Sequence, residues 1–465
     1  MMERYDVAII GGGPGGLAAA RGAKEAGARR VLVLERDGRT GGILNQCIHD
    51  GFGLVRYKAM LTGPEYAHRA RAEAVALGAE IRTGAMVTKL TPDRTLTAVT
   101  RSGLRQVAAG AVVLATGCRE RTRGAIAIPG TRPAGIYTAG AAQNLINTKN
   151  LMVGRRVVIL GSGDIGLIMA RRLTLEGARV LCVAEMRPAP GGLERNIRQC
   201  LYDFGIPLYL QTTVTDIFGR KRVEGVELSR VDEAGSPRPG TAERVDCDTL
   251  LLSVGLIPEN ELAAMAGVKL DPAANGAVTD GFLQTSVPGV FSCGNCRRVM
   301  DLADFVTVQG LAAGYNAGAY VLGKELKPMP EETSSAMAKG LPQPGVLTCV
   351  LCPKGCRVTL GADGEPDGNQ CPKGADYARQ EARAPARVLT TTLKRPDGSL
   401  LPVKTSRPVP REHLTAYARQ LRGIAAPAEP LPLGAVVLAD PFGTGADLIA
   451  AGEYYSCGNS ILPHE

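Results

Sequence analysis

Short apolar runs along the chain alternate with glycine turns and with alanine-rich or amphipathic stretches. This predicts buried strands that are each followed by a helix. The first run, Val7-Ala8-Ile9-Ile10, leads straight into Gly11-Gly12-Gly13-Pro14-Gly15-Gly16. An alanine-rich stretch follows, and then a second run closing on Glu35. The same order recurs from Arg156: Val157-Val158-Ile159-Leu160, then Gly161-Ser162-Gly163-Asp164-Ile165-Gly166, then a helix and a strand closing on Glu185. Glu35 lies 24 positions after Gly11, and Glu185 lies 24 positions after Gly161. One strand–turn–helix–strand unit present twice predicts an α/β fold with two Rossmann-like dinucleotide-binding domains.

The rest of the pattern fills in around these units. Pro64 to Leu77 reads as a helix, Ala111 to Ala115 as a buried strand and Thr138 to Asn147 as a crossover. Asp248 to Val254 and Val290 to Ser292 read as strands, and Ala303 to Val321 as a long helix. Lys327 to Gly345 is rich in Pro, Glu, Ser and Gly and reads as a linker. The expected division is a first nucleotide domain in two parts (1–145 and 261–326), a second within it (146–260), the linker (327–345) and a small cysteine-rich domain (346–465). The proline-dotted tail of that last segment shows no legible period.

Composition narrows the classes. A chain of 465 residues accommodates two or three domains with cores of their own. Hydrophobic residues make up 45% and the mean hydropathy is +0.01, as in ordinary globular proteins. The net charge is +9, but the basic residues are scattered, as at Arg171-Arg172, so no nucleic-acid patch is expected. Aromatics at 4%, with no Trp, argue against base-stacking platforms. No apolar run approaches the ~18 residues of a membrane span. The first run enters a glycine turn at once, so it reads as a core strand and not as a signal peptide. The cytoplasm is the expected compartment, where twelve cysteines are not expected to form a disulfide framework.

In the first turn, Gly11 suits the tight bend, Gly13 a close approach to a pyrophosphate and Gly16 helix–strand packing, with Pro14 opening the helix. Glu35 suits the ribose hydroxyls. The second turn offers the same device through Gly161, Gly163, Asp164, Ile165 and Gly166. There Glu185 would accept a ribose 2′-hydroxyl and repel a 2′-phosphate, which favours NAD over NADP, although Arg187 stands close by.

These motifs resemble the two-dinucleotide-domain flavoprotein reductases, the superfamily of the pyridine nucleotide-disulfide reductases. Gly41-Gly42 resembles the second glycine pair of those proteins, Ala115-Thr116-Gly117 their A-T-G turn, and Val287 to Asn295 their late G-V-F-A-x-G-D motif. Asn295 stands where the family has an aspartate that holds the FAD ribityl chain. The resemblance implies FAD in the first site, held by Gly11, Gly13, Pro14, Gly16, Glu35, Arg36, Gly42, Val87, Thr116, Gly117, Gly294 and Asn295. Gln309 would open a helix aimed at the flavin. It covers about residues 5 to 325, and it implies NAD(H) in the second site.

The paired redox thiols of that superfamily are missing. Gly42 to Asp50 holds only Cys47, and Gly135 to Gln143 holds no cysteine. Cys293 and Cys296 straddle the turn expected to serve FAD, so a dithiol shuttle is not expected there. Cys47 is read as a buried thiol, or else as a single flavin-facing one; His49 is its polar neighbour. Near the other end, Cys349, Cys352 and Cys356 crowd one loop and Cys371 arrives before a proline. Four thiolates so spaced suit a [4Fe–4S] cluster, with zinc as the alternative. The segment resembles the iron–sulfur module of molybdopterin oxidoreductases and the cysteine-rich domain that accompanies anaerobic flavoprotein dehydrogenases. Cys457 is given no role.

A flavin converts between hydride pairs and the single electrons of a cluster. The expected activity is therefore FAD-dependent NAD(P)H oxidoreduction by an electron-transfer subunit. The resemblance to such flavoproteins implies as its partner a substrate-oxidising FAD dehydrogenase of the glycerol-3-phosphate or 2-hydroxyacid type, in a hetero-oligomer. Two other readings stand beside it: a stand-alone NADH oxidase or quinone reductase using Cys47, and a non-enzymatic scaffold with a zinc-stabilised tail. No general acid or base is legible.

Overall fold

The computed structural model describes residues 2–330 and 337–453. The chain divides into two compact units, each assembled from separated stretches. The first comprises residues 1–47, 52–119 and 256–333, and the second 48–51, 120–255 and 334–465.

In the first unit the strand Glu3–Ile10 forms because Val7, Ile9 and their neighbours are apolar on both faces, as a parallel strand covered on two sides requires. It pairs in parallel with Val31–Leu34 on one side and Gly103–Leu114 on the other. Val31–Leu34 pairs with Glu80–Arg82, and Gly103–Leu114 with Val290–Ser292, also in parallel. Thr95–Thr100 and Met86–Leu90 extend this sheet as an antiparallel meander. The helix Pro14–Ala26 packs against Ala303–Val321 through glycines. A Cβ on Gly22 would overlap the Leu311 carbonyl oxygen, and one on Gly314 that of Ala19. The helix expected at Pro64 runs Gly63–Ala76 under a full capping box, with Thr62 and Glu65 satisfying each other's amides.

The second unit is built on a five-stranded parallel sheet. Its order is Ile136–Thr138, Thr249–Leu252, Arg156–Leu160, Arg179–Glu185, Leu208–Leu210. The expected crossover is the helix Ala139–Lys149. The illegible tail folds into a four-stranded antiparallel sheet, Thr390–Lys394, Leu400–Thr405, Leu448–Ala450 and Val436–Leu438. Its core (Leu389, Leu393, Leu401, Val403, Leu448) closes over Leu175 and Phe204 of the nucleotide fold. The small C-terminal domain clusters with the second nucleotide fold in one compact unit. Among the described residues no helix is long and apolar enough to cross a membrane.

Candidate functional site

Backbone conformation explains the first turn. Gly11 has φ +106, and a Cβ there would overlap the Ala115 carbonyl oxygen. One on Gly16 would overlap the Gly11 carbonyl oxygen. Gly13 differs. It caps the helix Pro14–Ala26 with φ −73, which any residue can adopt, and a Cβ there meets nothing within 4 Å. Neither packing nor backbone strain calls for glycine at 13, so its small size fits a cradle that must approach a ligand. Gly41 donates its amide to the Gly12 carbonyl at 2.8 Å, which folds the second glycine pair onto the first turn. Glu35 is buried and accepts the amides of Gly12 at 2.7 Å and Asp37 at 2.8 Å. Burial outweighs these bonds and raises its carboxyl above the ordinary value.

The remaining expected FAD residues occupy several elements of this unit. Thr116 donates through its hydroxyl to the Glu259 carbonyl at 2.6 Å, and Gly117 carries φ +76. Gly294 donates its amide at 3.0 Å to Gln309, whose side chain is fully buried. Gln309 lies inside the helix that begins at Ala303 rather than at its opening. Asn295 accepts the Met300 amide at 3.0 Å and donates to the Cys118 sulfur at 3.4 Å. Val87 is a core residue of the meander, and Arg36 is exposed.

The second turn repeats the first with one change. Gly161 (φ +95) and Gly166 press on Ser253, whose hydroxyl accepts the Gly166 amide at 3.1 Å. A Cβ on Gly163 would stand 3.2 Å from the same hydroxyl. Asp164 begins the following helix, and its carboxylate accepts the Leu193 amide at 2.8 Å; Ile165 is half-buried behind it. Ser162 replaces the first turn's Gly12. Its amide (3.0 Å) and hydroxyl (2.5 Å) both donate to Glu185 Oε2. The amide and guanidinium of Arg187 donate to Oε1 at 3.0 and 3.1 Å. Burial works against ionisation of Glu185, but these bonds outweigh it and hold the carboxyl below its ordinary value. The two acids are thus biased in opposite directions.

Sequence reasoning missed the loop that closes this turn. Gly191 donates its amide to the Ser162 hydroxyl at 2.9 Å and Gly192 its amide to the Ser162 carbonyl at 2.8 Å. The signal was present: Gly191-Gly192 follow Glu185 at the spacing by which Gly41-Gly42 follow Glu35. It also missed Glu194, fully buried, which accepts from Thr348 at 2.8 Å and from Arg357 at 2.7 Å. These are the residues flanking the Cys349–Cys356 loop.

That loop is a tight hairpin in which Cys349 donates its amide to the Cys356 carbonyl at 2.8 Å. Cys371 caps the helix Pro372–Arg383, whose third residue is Gly374. A Cβ on Gly374 would stand 3.8 Å from the Cys371 sulfur and 4.0 Å from that of Cys349, so both ends of the motif converge over a helix N-terminus. A helix start favours thiolate charge. The Cys349 thiol is pushed up to about 11, first by burial and further by the neighbouring Cys352, Cys356 and Cys371. Among the described residues no three His, Cys, Asp or Glu side chains stand in a metal-holding arrangement. The donor set and the glycine cradle fit a thiolate-bound group, and the spacing of the sulfurs is not that of a closed site.

The other thiols are occupied by packing. Cys293 and Cys296 are buried, with both sulfurs directed at the Leu114 carbonyl. Burial raises the Cys293 thiol well above its ordinary value. Cys47 is partly buried, and desolvation pushes its thiol up to about 12. His49 belongs to the second unit. Cys457 lies outside the described residues.

Comparison with known proteins rests on this frame. Residues 5–314 match the family model described as pyridine nucleotide-disulphide oxidoreductase. The chain belongs to the pyridine nucleotide-disulphide oxidoreductase family. Residues 372–451 match a second model, described as protein of unknown function (DUF1667), which begins one residue after Cys371. The chain is similar to an opine oxidase subunit of Agrobacterium tumefaciens, with 30% identity over 73% of this chain and 69% of that one. It is similar to thioredoxin reductase of Treponema pallidum, with 27% identity over 69% of this chain and 98% of that one. Among solved structures it shares the fold of Lactococcus lactis thioredoxin reductase, with a TM-score of 0.57 and 22% identity over 69% of this chain and 99% of that one. As a member of this family the protein is a FAD-dependent NAD(P)H oxidoreductase.

Proposed function

We propose that this oxidoreductase is an electron-transfer subunit that joins NAD(H) and FAD to a [4Fe–4S] cluster. On this reading Gly11, Gly13, Gly16, Glu35, Gly42, Thr116, Gly117, Gly294 and Asn295 serve FAD. Gly161, Gly163, Gly166 and Glu185 serve NAD(H), and Cys349, Cys352, Cys356 and Cys371 ligate the cluster. Bound together, these groups would supply hydride chemistry at the nicotinamide, two- and one-electron chemistry at the flavin and one-electron chemistry at the cluster. The chain's own residues supply binding and charge. Helix starts at Pro14 and Asp164 face phosphates, Glu185 rejects a 2′-phosphate, and the start of helix Pro372–Arg383 favours thiolates.

One observation carries the reading: cysteines at both ends of the 349–371 motif converge at a helix start, in a family member whose expected redox-pair segments lack paired thiols. The similar opine oxidase protein is by its name one component of a larger enzyme, which supports a hetero-oligomer with a substrate-oxidising flavoprotein. The stand-alone oxidase reading needs Cys47 as a nucleophile, and its raised pKa opposes that. The test is iron and sulfide analysis with EPR on anaerobically purified protein, alongside native pull-down and mass spectrometry. About four irons and four sulfides per chain are expected. Stoichiometric zinc would overturn the cluster assignment, and a chain that migrates alone while consuming oxygen rapidly with NADH would overturn the hetero-oligomer.

A further inference from the structure

The second unit contains a small, partly open space lined by two buried arginines. The cavity measures about 20 Å³. Its polar lining is Arg171 and Arg172 from the helix Asp164–Leu175, with His49, Asp50, Asn147, Gln199 and Thr390. A volume of this size holds a single sphere of about water size. Among anions, this size suits a monatomic ion better than a phosphate or a nucleotide.

The two arginines differ in how they are satisfied. Arg172 has a counter-charge: it pairs with Glu176 at 2.8 Å and donates to Asn147 at 2.8 Å and Thr391 at 3.1 Å. Arg171 is only 6% exposed, and its one hydrogen bond runs from Nη2 to the Val388 carbonyl at 2.8 Å. Its Nε is buried without a partner, and among the described residues it forms no ion pair. Arg195 is buried close by and also has an unpartnered Nε. Asp50 is the one carboxylate in the lining, and it is half-buried. His49 is held down to about 4 mainly by burial, against the pull of Asp50 and with Arg195 and Arg171 adding to it, so it brings no charge at neutral pH. A buried guanidinium with no counter-charge is costly, and a desolvated anion beside it offsets that cost.

We propose that this cavity is a binding site for one monatomic anion of chloride or bromide size, held by Arg171 Nε with the amide of Gln199 and the hydroxyl of Thr390 nearby. The bound ion fixes the helix Asp164–Leu175 against the strand Thr390–Lys394 and the inserted segment 48–51. It is therefore a structural ion for the second unit and takes no part in hydride transfer.

The experiment uses the full chain. Melting is followed in sodium chloride, sodium bromide and sodium gluconate at equal ionic strength, for the wild type, Arg171→Met and the surface control Arg101→Met. A saturable rise of about 2–4 °C is expected with chloride and bromide but not gluconate. It should persist in Arg101→Met and vanish in Arg171→Met. Crystals of the wild type grown in bromide should show an anomalous peak within hydrogen-bonding distance of Arg171 Nε. That arm decides the matter should Arg171→Met fail to fold. An equal response to all three salts, an unchanged response in Arg171→Met, or non-anomalous density of a water in the cavity would each overturn the site.

Discussion

At the residue scale, Gly13 and Gly16 separate binding from folding. Gly16→Ala drives a methyl into the Gly11 carbonyl and should destabilise the first unit by about 1–3 kcal/mol or more, read as a fall in the melting temperature. Gly13→Ala adds a methyl that touches nothing and removes a flexible residue from the unfolded chain. The melting temperature of flavin-free protein should stay or rise slightly, while flavin affinity falls at least roughly tenfold by equilibrium dialysis, about 1.4 kcal/mol. A folded variant with full flavin content would count against the cradle role. Cys47→Ser should keep NADH-dependent flavin bleaching within about twofold of wild type, since a thiol at about 12 is protonated at neutral pH. The glycine turns and their acids were legible because a phosphate-facing turn tolerates few alternatives. Ser162 was not read, because its hydroxyl matters only once Glu185 folds back over it, and that contact spans 23 positions.

Among elements, the tail was the least legible. Its strands are short, and their packing partners lie elsewhere in the chain: Leu175 and Phe204 belong to the second nucleotide fold. Neither alternation nor helical period shows when the apolar face is completed by distant residues. The long helix Ala303–Val321 was plain, because its length and alanine–glycine content carry their own signal. The tail is also pinned by charge. Arg387, almost fully buried, donates to Glu381 at 2.6 and 2.7 Å and to Asp203 at 2.8 Å. Arg387→Met leaves two buried carboxylates with only the longer contacts to Arg411 and Arg198, and should cost up to about 3 kcal/mol in urea unfolding. Burial disfavours the Glu381 charge, but Arg387 outweighs it and holds the carboxyl below its ordinary value of 4.5. A lowered carboxyl contributes stability that is complete above that ordinary value and is lost as pH falls through the folded one. The urea midpoint of the wild type should therefore drop below about pH 4.5, and less steeply in Arg387→Met.

For the whole molecule, the proposed preference for NADH rests on Glu185. Four donors hold it anionic. NADH should reduce the flavin at least tenfold faster than NADPH at equal concentration by stopped flow. A preference for NADPH would mean that Arg187 has left Glu185 to meet the 2′-phosphate. The bipartite plan was readable from the repeated turn, but the company each half keeps was not. A chain cut at residue 333 is expected to lose more than the cysteine motif. It uncovers Leu175 and the face around it, so it should bind a hydrophobic dye and unfold with lower cooperativity than the full chain.

The interleaving of the two units also sets the order in which the protein can be made. A ribosome releases Pro14–Ala26 early, but the glycine-stippled surface of that helix meets Ala303–Val321 only after nearly 300 further residues have emerged. The second nucleotide fold is synthesised in the interval, and it too awaits the closing tail. Neither half can therefore finish folding behind the other during translation, and the nascent chain carries two open apolar faces at once. Contacts so distant along the chain predict slow maturation and a need for protection from aggregation until the last strand is out.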